Sequence, residues 1–178
     1  MILSLDIYLF RLINGLAGQS KFLDFIGIFL ASSLAYVLVL AVVIIVLTNK
    51  SWRVRLNNLL FLALTLLSST GFFASIIRFI YARPRPPLAL EGVTVLINKN
   101  LAEASFPSDH AVFFFALAIV IYFIKEKWFR YFFVSAILMG VARVFVGVHY
   151  PMDVVAGAII GLGTGLLVHK IYSYNDKI

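Results

Sequence analysis

The chain has 178 residues, of which 62% are apolar and only 13% are charged, and its formal net charge is +7 at pH 7. A soluble domain carries roughly 25% charged residues, and a fold of this size has too large a surface to bury so much apolar side chain. The composition excludes an ordinary soluble enzyme, a disordered tail and a nucleic-acid-binding protein. It indicates one integral membrane domain over residues 1–178. The absence of cysteine excludes disulfides and thiol catalysis.

The first predicted element covers residues 3–17. It places polar side chains among apolar residues at helical spacing, namely Asp6, Arg11 and Asn14. The pattern is typical of an amphipathic helix that lies in the membrane interface. The next apolar run, residues 22–48, would form a helix about 40 Å long, which is more than a bilayer core requires. We therefore expect a break near Ser32 and Ser33, with a short tilted or re-entrant segment before it and one span after it.

Four further runs predict membrane-crossing helices, because a span needs about 20 apolar residues. They cover residues 56–81, 111–124 with an extension back to Ser108, 129–148 and 152–168. Together the runs predict an all-α fold. It would be a polytopic membrane helix bundle with about five to six transmembrane or re-entrant helices and an N-terminal interfacial helix.

The basic residues between the predicted spans are distributed unevenly. If the helices alternate in direction, eight of them fall on one membrane face: Lys50, Arg53, Arg55, Lys125, Lys127, Arg130, Lys170 and Lys177. The positive-inside rule predicts that this face is cytoplasmic. The opposite face then holds the long connection 82–107 and the turn around residues 148–152, where most of the unusual polar residues are found.

Polar side chains collect in three clusters at the ends of the predicted spans. Antiparallel packing would bring to one face Arg78 and Arg85, then Ser108, Asp109 and His110, and finally Arg143, His149 and Asp153. Several guanidinium groups around one point match a multiply charged oxyanion, and the N-terminus of a helix binds anions through its backbone N–H groups. Two histidines allow one to attack and the other to protonate a leaving oxygen. These residues predict phosphoryl transfer or hydrolysis by a histidine nucleophile.

Some polar residues and glycines have simpler interpretations. Ser108 could serve only as a helix N-cap, and Arg83 is interpreted as a surface charge. Gly157 and Gly161, in the last predicted span, predict close helix packing rather than a nucleotide-binding loop. They lie within an apolar run, and no lysine follows them directly.

The order and spacing of the clusters resemble three signatures of the type 2 phosphatidic-acid phosphatase superfamily, whose usual forms are Lys-x6-Arg-Pro, Pro-Ser-Gly-His and Ser-Arg-x5-His-x3-Asp. The matching segments are Arg78-x6-Arg85-Pro86, Pro107-Ser108-x-His110 and Arg143-x5-His149-x3-Asp153. The resemblance covers about residues 56–165. The string from Ala104 to His110, ASFPSDH, looks most like the bacterial undecaprenyl-pyrophosphate phosphatases of the bacitracin-resistance type.

Three positions depart from the usual family pattern. Arg78 replaces Lys, Asp109 replaces Gly and Ala142 replaces Ser. Arg78 keeps the positive charge, whereas Ala142 removes one hydroxyl donor and should weaken phosphate binding modestly. We expect the Asp109 carboxylate either to point away from the anion or to serve the substrate.

The resemblance implies a role for each matched residue. His149 would be the nucleophile that forms a phosphohistidine, and Asp153 would be its orienting partner. His110 would be the acid that protonates the leaving oxygen and then the base that activates water. The phosphate would be held by Arg78, Arg85, Ser108 and Arg143, together with backbone N–H groups near Asp109 and His110. The family needs no metal or other cofactor.

The resemblance also implies a function, namely a lipid phosphatase of the bacterial plasma membrane. It would hydrolyse undecaprenyl pyrophosphate to the monophosphate at the outer face, recycling the cell-wall carrier lipid. Its partners would be polyprenyl or other lipid (pyro)phosphates and membrane lipids, and not nucleic acid. An alternative is a broad-specificity phosphatase that acts on phosphatidate or phosphatidylglycerol phosphate. A transporter is disfavoured because the polar residues mark no path through the bilayer midplane, and an inactive scaffold because the set of site residues is complete.

The charge distribution makes a testable prediction about sidedness. Once the predicted phosphate ligands are set aside, the connection 82–107 retains only Arg83 and Lys99 as basic residues, so the site should face away from the cytoplasm. Because the chain has no native cysteine, single-cysteine variants can be labelled in intact cells. An Asn98→Cys variant should react with a membrane-impermeant maleimide, and an Asn49→Cys variant only after permeabilisation. The reverse pattern would place the site in the cytoplasm.

Overall fold

The computed structural model describes residues 2–98, 100 and 102–175, and the regular structure in this part of the chain is entirely helical. This confirms the all-α prediction. Two of the basic residues that entered the orientation argument, Lys99 and Lys177, lie outside the described residues.

The helices follow one another with short connections, except for the long segment before the seventh. In chain order they are α1 (Ile2–Asn14), α2 (Lys21–Ile28), α3 (Leu34–Leu47), α4 (Trp52–Leu66), α5 (Ser75–Ile80), α6 (Pro86–Ala89), α7 (Asp109–Lys125), α8 (Phe129–Phe145) and α9 (Pro151–Asn175). π-Helical stretches join α2 to α3 (Phe29–Ser33) and α4 to α5 (Leu67–Ala74), and a 3-10 turn (Glu126–Trp128) joins α7 to α8.

The break predicted near Ser32 and Ser33 is wrong. Lys21–Leu47 forms one helix of 27 residues, and the two serines lie within its π-helical stretch. A π-helical turn bonds each N–H to the carbonyl five residues earlier, so the chain changes pitch without losing backbone hydrogen bonds. Lipid offers no replacement for those bonds, which favours a continuous helix over a break.

Within the described part of the chain, three continuous helices are long and apolar enough to cross a membrane: Lys21–Leu47, Trp52–Ile80 and Pro151–Tyr172. The protein is a membrane protein, as its composition predicts. α7 and α8 have 17 residues each, which is about the shortest length that spans a bilayer core. α8 ends at Phe145 because Gly147 follows with a φ of +83°. Glycine adopts this left-handed conformation without a steric penalty, and it turns the chain toward α9.

α1 turns two polar side chains and one aromatic ring toward the protein and exposes several leucines. Asp6, Phe10 and Asn14 are buried, whereas the leucines at positions 5, 9 and 12 are exposed. The Asn14 amide donates to the backbone carbonyls of Thr94 and Phe145 at 2.8 Å each. α1 therefore holds the connection between α6 and α7 against the end of α8.

α7 lies at the centre of the bundle, and α9 packs along it through two glycines. A Cβ atom at Gly161 would lie only 2.4 Å from the carbonyl oxygen of Val112, and one at Gly157 would lie 2.9 Å from that of Ser108. The predicted role of these glycines in close helix packing is confirmed. The same contact brings the start of α9 next to the start of α7, where several predicted site residues are located.

Gly161→Ala should lower stability because the added methyl group must displace the α7 backbone, and overpacking of this kind costs about 1–3 kcal/mol. Gly163 provides the matched control in the same helix, since a Cβ atom there meets no atom within 4 Å. Gly163→Ala should leave the unfolding temperature unchanged or raise it, because alanine is the better helix former. Thermal unfolding in detergent compares the two variants, and equal midpoints would contradict the packing argument.

Candidate active site

The predicted site residues meet at one end of the bundle, where α5 and α8 end and α7 and α9 begin. The contacts that join them are the ion pair of Arg78 with Asp109, the approach of Arg85 to His149, that of His149 to Asp153, and the 3.1 Å hydrogen bond from the Ser108 N–H to the Asp153 carbonyl. His110 lies half-buried on the first turn of α7. Antiparallel helices thus bring the three sequence clusters to one place, as predicted.

The His149 imidazole is buried, and its surroundings determine its tautomer. Nδ1 lies 2.9 Å from the backbone carbonyl oxygen of Ser105. Because a carbonyl oxygen only accepts hydrogen bonds, Nδ1 carries the proton and Nε2 keeps a lone pair. Burial lowers the pKa of His149 from 6.5 to about 4, so the ring is neutral at neutral pH. A neutral imidazole with an unprotonated Nε2 is the form that can attack phosphorus.

Asp153 is fully buried beside His149, but it is not the nearest acceptor for that ring. Its Oδ2 atom lies 3.6 Å from Nδ1, which is an ion-pair distance and too long for a hydrogen bond. The same oxygen accepts the N–H of Tyr150 at 2.9 Å. Ser105 therefore orients the imidazole, while Asp153 lies close enough to stabilise positive charge that develops on it.

Arg85 is 1% exposed and binds the loops around His149. Its guanidinium donates to three backbone carbonyls: Glu103 at 3.1 Å, Val148 at 3.0 Å and Ala104 at 3.4 Å. Nη1 also lies 3.4 Å from Nε2 of His149. Burial lowers the pKa of Arg85, and the nearby Glu103 carboxylate opposes that shift. Arg85 thus positions the chain before α7 and places a cation beside Nε2 of His149.

Two predicted phosphate ligands carry buried donors that find no partner in the described part of the chain. Arg143 is 2% exposed, and although its Nη1 donates to the Ala31 carbonyl at 3.2 Å, its Nε and Nη2 atoms have no acceptor there. Ser108 occupies the N-cap position of α7, but its buried hydroxyl makes no cap bond and is also unpaired among the described residues, so this hydroxyl has a donor left for an anion. Buried unpaired donors are costly, and an anion with several oxygens would satisfy them.

Asp109 has a definite contact in the free protein. Its carboxylate pairs with the guanidinium of Arg78, which also donates to the Pro107 carbonyl at 3.5 Å. Both side chains are partly exposed, 27% for Arg78 and 45% for Asp109. The carboxylate therefore occupies a predicted phosphate ligand, and a bound phosphate must either displace it or share Arg78 with it.

The interpretation of Arg83 as a surface charge is wrong. Its side chain is only 9% exposed and donates to Asp153 Oδ1 at 2.8 Å and to Asp6 Oδ2 at 2.7 Å. Burial lowers the pKa of Arg83, but the two carboxylates more than offset this, so the pKa lies above its ordinary value. Arg83 is thus a buried cation in direct contact with the site.

Sequence reasoning missed Asp6 and Ser105 as well as the role of Arg83. Asp6 lies on the same helical face as Phe10 and Asn14, and a carboxylate within a membrane-associated apolar segment is a functional signal that could have found it. Ser105 acts through its backbone carbonyl, for which the sequence carries no signal.

Comparison with known proteins identifies the family. Residues 58–177 match the PAP2 superfamily. The chain is 33% identical to the "Bacitracin transport permease protein BcrC" of Bacillus licheniformis, over 98% of this chain and 89% of that one. It is 29% identical to the "Undecaprenyl-diphosphatase BcrC" of Bacillus subtilis (strain 168), over 91% and 81%. The crystal structure of Aquifex aeolicus LpxE superposes with a TM-score of 0.76 at 30% identity, covering 93% of this chain and 95% of that one.

The chain belongs to the PAP2 superfamily, which confirms the resemblance of its three motifs. It is a membrane lipid phosphatase, and thus a hydrolase of phosphoric esters.

Ser108→Ala should weaken substrate binding without lowering stability, because the hydroxyl has no hydrogen-bond partner among the described residues that it could lose. A hydrogen bond to a charged phosphate contributes about 1.5–3 kcal/mol, so KM should rise about 10-fold or more. Thr65 provides the matched control, since its buried hydroxyl is also unpaired but lies within α4. Thr65→Val should change neither KM nor the unfolding temperature. An unchanged KM in Ser108→Ala would remove this hydroxyl from the phosphate site.

Proposed function

We propose that this phosphatase removes the terminal phosphate of undecaprenyl pyrophosphate through a phosphohistidine formed on His149. The observation that carries the proposal is the neutral imidazole beside buried, unpaired donors on Arg143 and Ser108. A nucleophile and an unfilled set of anion donors at one end of the bundle are the two parts that phosphoryl transfer requires.

In the first step, Nε2 of His149 attacks the terminal phosphorus, and the bond between phosphorus and the bridging oxygen breaks. Arg143, Ser108 and the N–H groups at the start of α7 bind the equatorial oxygens, where charge accumulates in the transition state. Arg85 Nη1, 3.4 Å from Nε2, lies where it can bind an oxygen of the transferring group. The departing lipid monophosphate takes a proton from His110.

In the second step, a water molecule hydrolyses the phosphohistidine. His110, left unprotonated by the first step, accepts a proton from the water as the oxygen attacks phosphorus. The bond between Nε2 and phosphorus breaks, and inorganic phosphate leaves. His149 returns to its neutral form with the proton still on Nδ1, where the Ser105 carbonyl holds it.

The choice of substrate rests on similarity and on charge. The Bacillus subtilis relative is named for undecaprenyl diphosphate. A diphosphate also carries more negative charge than a monoester, which suits a site that must displace the Asp109 carboxylate from Arg78. If the chain crosses the membrane five times and its basic connections lie in the cytoplasm, as the positive-inside rule predicts, the site would lie at the outer face of the bacterial plasma membrane. There it would recycle the carrier lipid, with bacitracin resistance as a consequence.

The name of the Bacillus licheniformis relative suggests transport as an alternative function. A transporter needs polar groups along a path through the bilayer midplane. Among the described residues, the buried charged side chains all lie at the site end of the bundle: Asp6, Arg83, Arg85, Arg143 and Asp153. This placement favours hydrolysis at one interface over transport.

Phosphate release by the purified protein in detergent tests the proposal. Undecaprenyl diphosphate should give the highest kcat/KM, and phosphatidate and phosphatidylglycerol phosphate lower values. Preference for either monoester would retain the enzyme class and replace the substrate. Acid-labile, alkali-stable labelling of the protein from a substrate with a radioactive terminal phosphate would report the phosphohistidine.

His149→Asn is the control for the mechanism. The asparagine amide can still donate to the Ser105 carbonyl, but it has no nucleophilic nitrogen in place of Nε2. Turnover should fall by about 10⁴-fold or more, and the label should disappear, while the unfolding temperature stays near that of the wild type. Near-normal hydrolysis by this variant would exclude His149 as the nucleophile.

A further inference from the structure

Two buried carboxylates share one guanidinium next to the nucleophile. Asp6 is 2% exposed and Asp153 fully buried, and Arg83 donates through Nη2 to the first at 2.7 Å and through Nη1 to the second at 2.8 Å. The guanidinium carbon lies 3.6 Å from the centroid of the Tyr150 ring. The ring and the two carboxylates determine the position of the guanidinium group, since a planar fork binds two acceptors in defined directions.

The same carboxylates also bind the first backbone donors of α9. Asp153 Oδ2 accepts the N–H of Tyr150 and Asp6 Oδ1 accepts the N–H of Met152, each at 2.9 Å. Pro151, between them, has no N–H. The N-terminus of α9, which carries Asp153, is therefore capped by one residue of its own and by one from α1.

This network reaches His149 by two routes. Asp153 lies 3.6 Å from Nδ1. The backbone carbonyl of Arg83 accepts the N–H of Ser105 at 2.8 Å, and the carbonyl of Ser105 accepts Nδ1 at 2.9 Å. A shift of Arg83 would thus move both groups that face the protonated side of the imidazole.

The net charge of this network also acts on the His149 imidazole. With Asp6, Arg83 and Asp153 all ionised, the group carries a net charge of −1 beside a ring that becomes positive when Nε2 bonds to phosphorus. Without the charge of Asp6, Arg83 would neutralise Asp153, and that stabilisation would be lost.

We propose that Asp6 is a positioning residue for catalysis, which acts through Arg83 and Asp153 to hold His149 and to stabilise its phosphorylated form. The inference rests on the proposed function. Asp6 belongs to α1, outside the segment 58–177 that matches the family, so an N-terminal helix completes a site whose motifs all lie downstream of it. Asp6 does not touch the predicted phosphate ligands, and its effect should appear in turnover rather than in binding.

Asp6→Asn tests the inference, because it keeps the shape of the side chain and removes its charge. Active sites are counted by the stoichiometry of orthovanadate binding, and kcat is expressed per site. We expect kcat per site to fall about 10- to 100-fold, by analogy with the loss when a residue that orients a metal-binding histidine is removed. KM should remain within about twofold. Vanadate, which imitates the transferring phosphoryl group on His149, should bind more weakly in step with the fall in kcat, and the trapped phosphohistidine per site should decrease. A purely structural role would reduce the number of sites and leave kcat per site unchanged, which would overturn the inference.

Two further variants complete the experiment. Asp24→Asn is the matched control, since Asp24 is an N-terminal carboxylate that accepts an exposed hydrogen bond from the Gly18 N–H, and it should behave as wild type. Arg83→Lys keeps the positive charge but cannot bind Asp6 and Asp153 through two separate nitrogens, so it should also lower kcat per site with KM unchanged. If Asp6→Asn does not fold, the kcat per site of Arg83→Lys tests the inference instead. A KM that rises as much as kcat falls would overturn the inference. A wild-type protein that releases no phosphate from any lipid would instead refute the proposed function itself.

Discussion

A buried charge in an apolar helix bundle needs a partner, and the active end of this protein is arranged around that requirement. Arg83 has two carboxylates, and Arg85 has three backbone carbonyls. Both guanidinium groups are largely satisfied in the free protein, and both hold chain segments in place around His149. Arg143 differs, because two of its buried nitrogens find no acceptor among the described residues. Arg83 and Arg85 therefore stabilise the structure of the site, whereas Arg143 has donors left for a ligand.

Close packing of α7 against α9 makes this arrangement possible. The backbones approach at Gly157 and Gly161, where a side chain would collide with the carbonyls of Ser108 and Val112. That approach permits the hydrogen bond between the Ser108 N–H and the Asp153 carbonyl. The start of α7, which carries the proposed phosphate ligand Ser108, and the start of α9, which carries Asp153, are thereby joined directly, so these two residues keep a constant spacing.

The contact between Asp109 and Arg78 shows how a departure from the family pattern changes the free site. A glycine at this position would leave Arg78 without a carboxylate, whereas Asp109 neutralises it. Because both side chains are partly exposed, the pair is screened by solvent and contributes little to stability. In the proposed mechanism, a phosphate that binds Arg78 would compete with this weakly held carboxylate.

The sequence by itself determined the class, the order of the helices and the three motifs. Composition and the length of apolar runs are local properties of the chain, and they decide whether a segment can cross a bilayer. Arg143, His149 and Asp153 are close in sequence, so the turn between α8 and α9 keeps them at the same end of the bundle. Only the tertiary structure decided that Arg83 is buried, that Asp6 from α1 is its partner, that Ser105 sets the tautomer of His149, and that no break occurs at Ser32. The first three depend on which segments pack together: Asp6 and Arg83 are 77 residues apart, and Ser105 and His149 are 44 apart. The continuity at Ser32 depends instead on backbone hydrogen bonds in the π-helical stretch. Pairing energies between distant segments arise only once the helices have packed, and no local pattern encodes them.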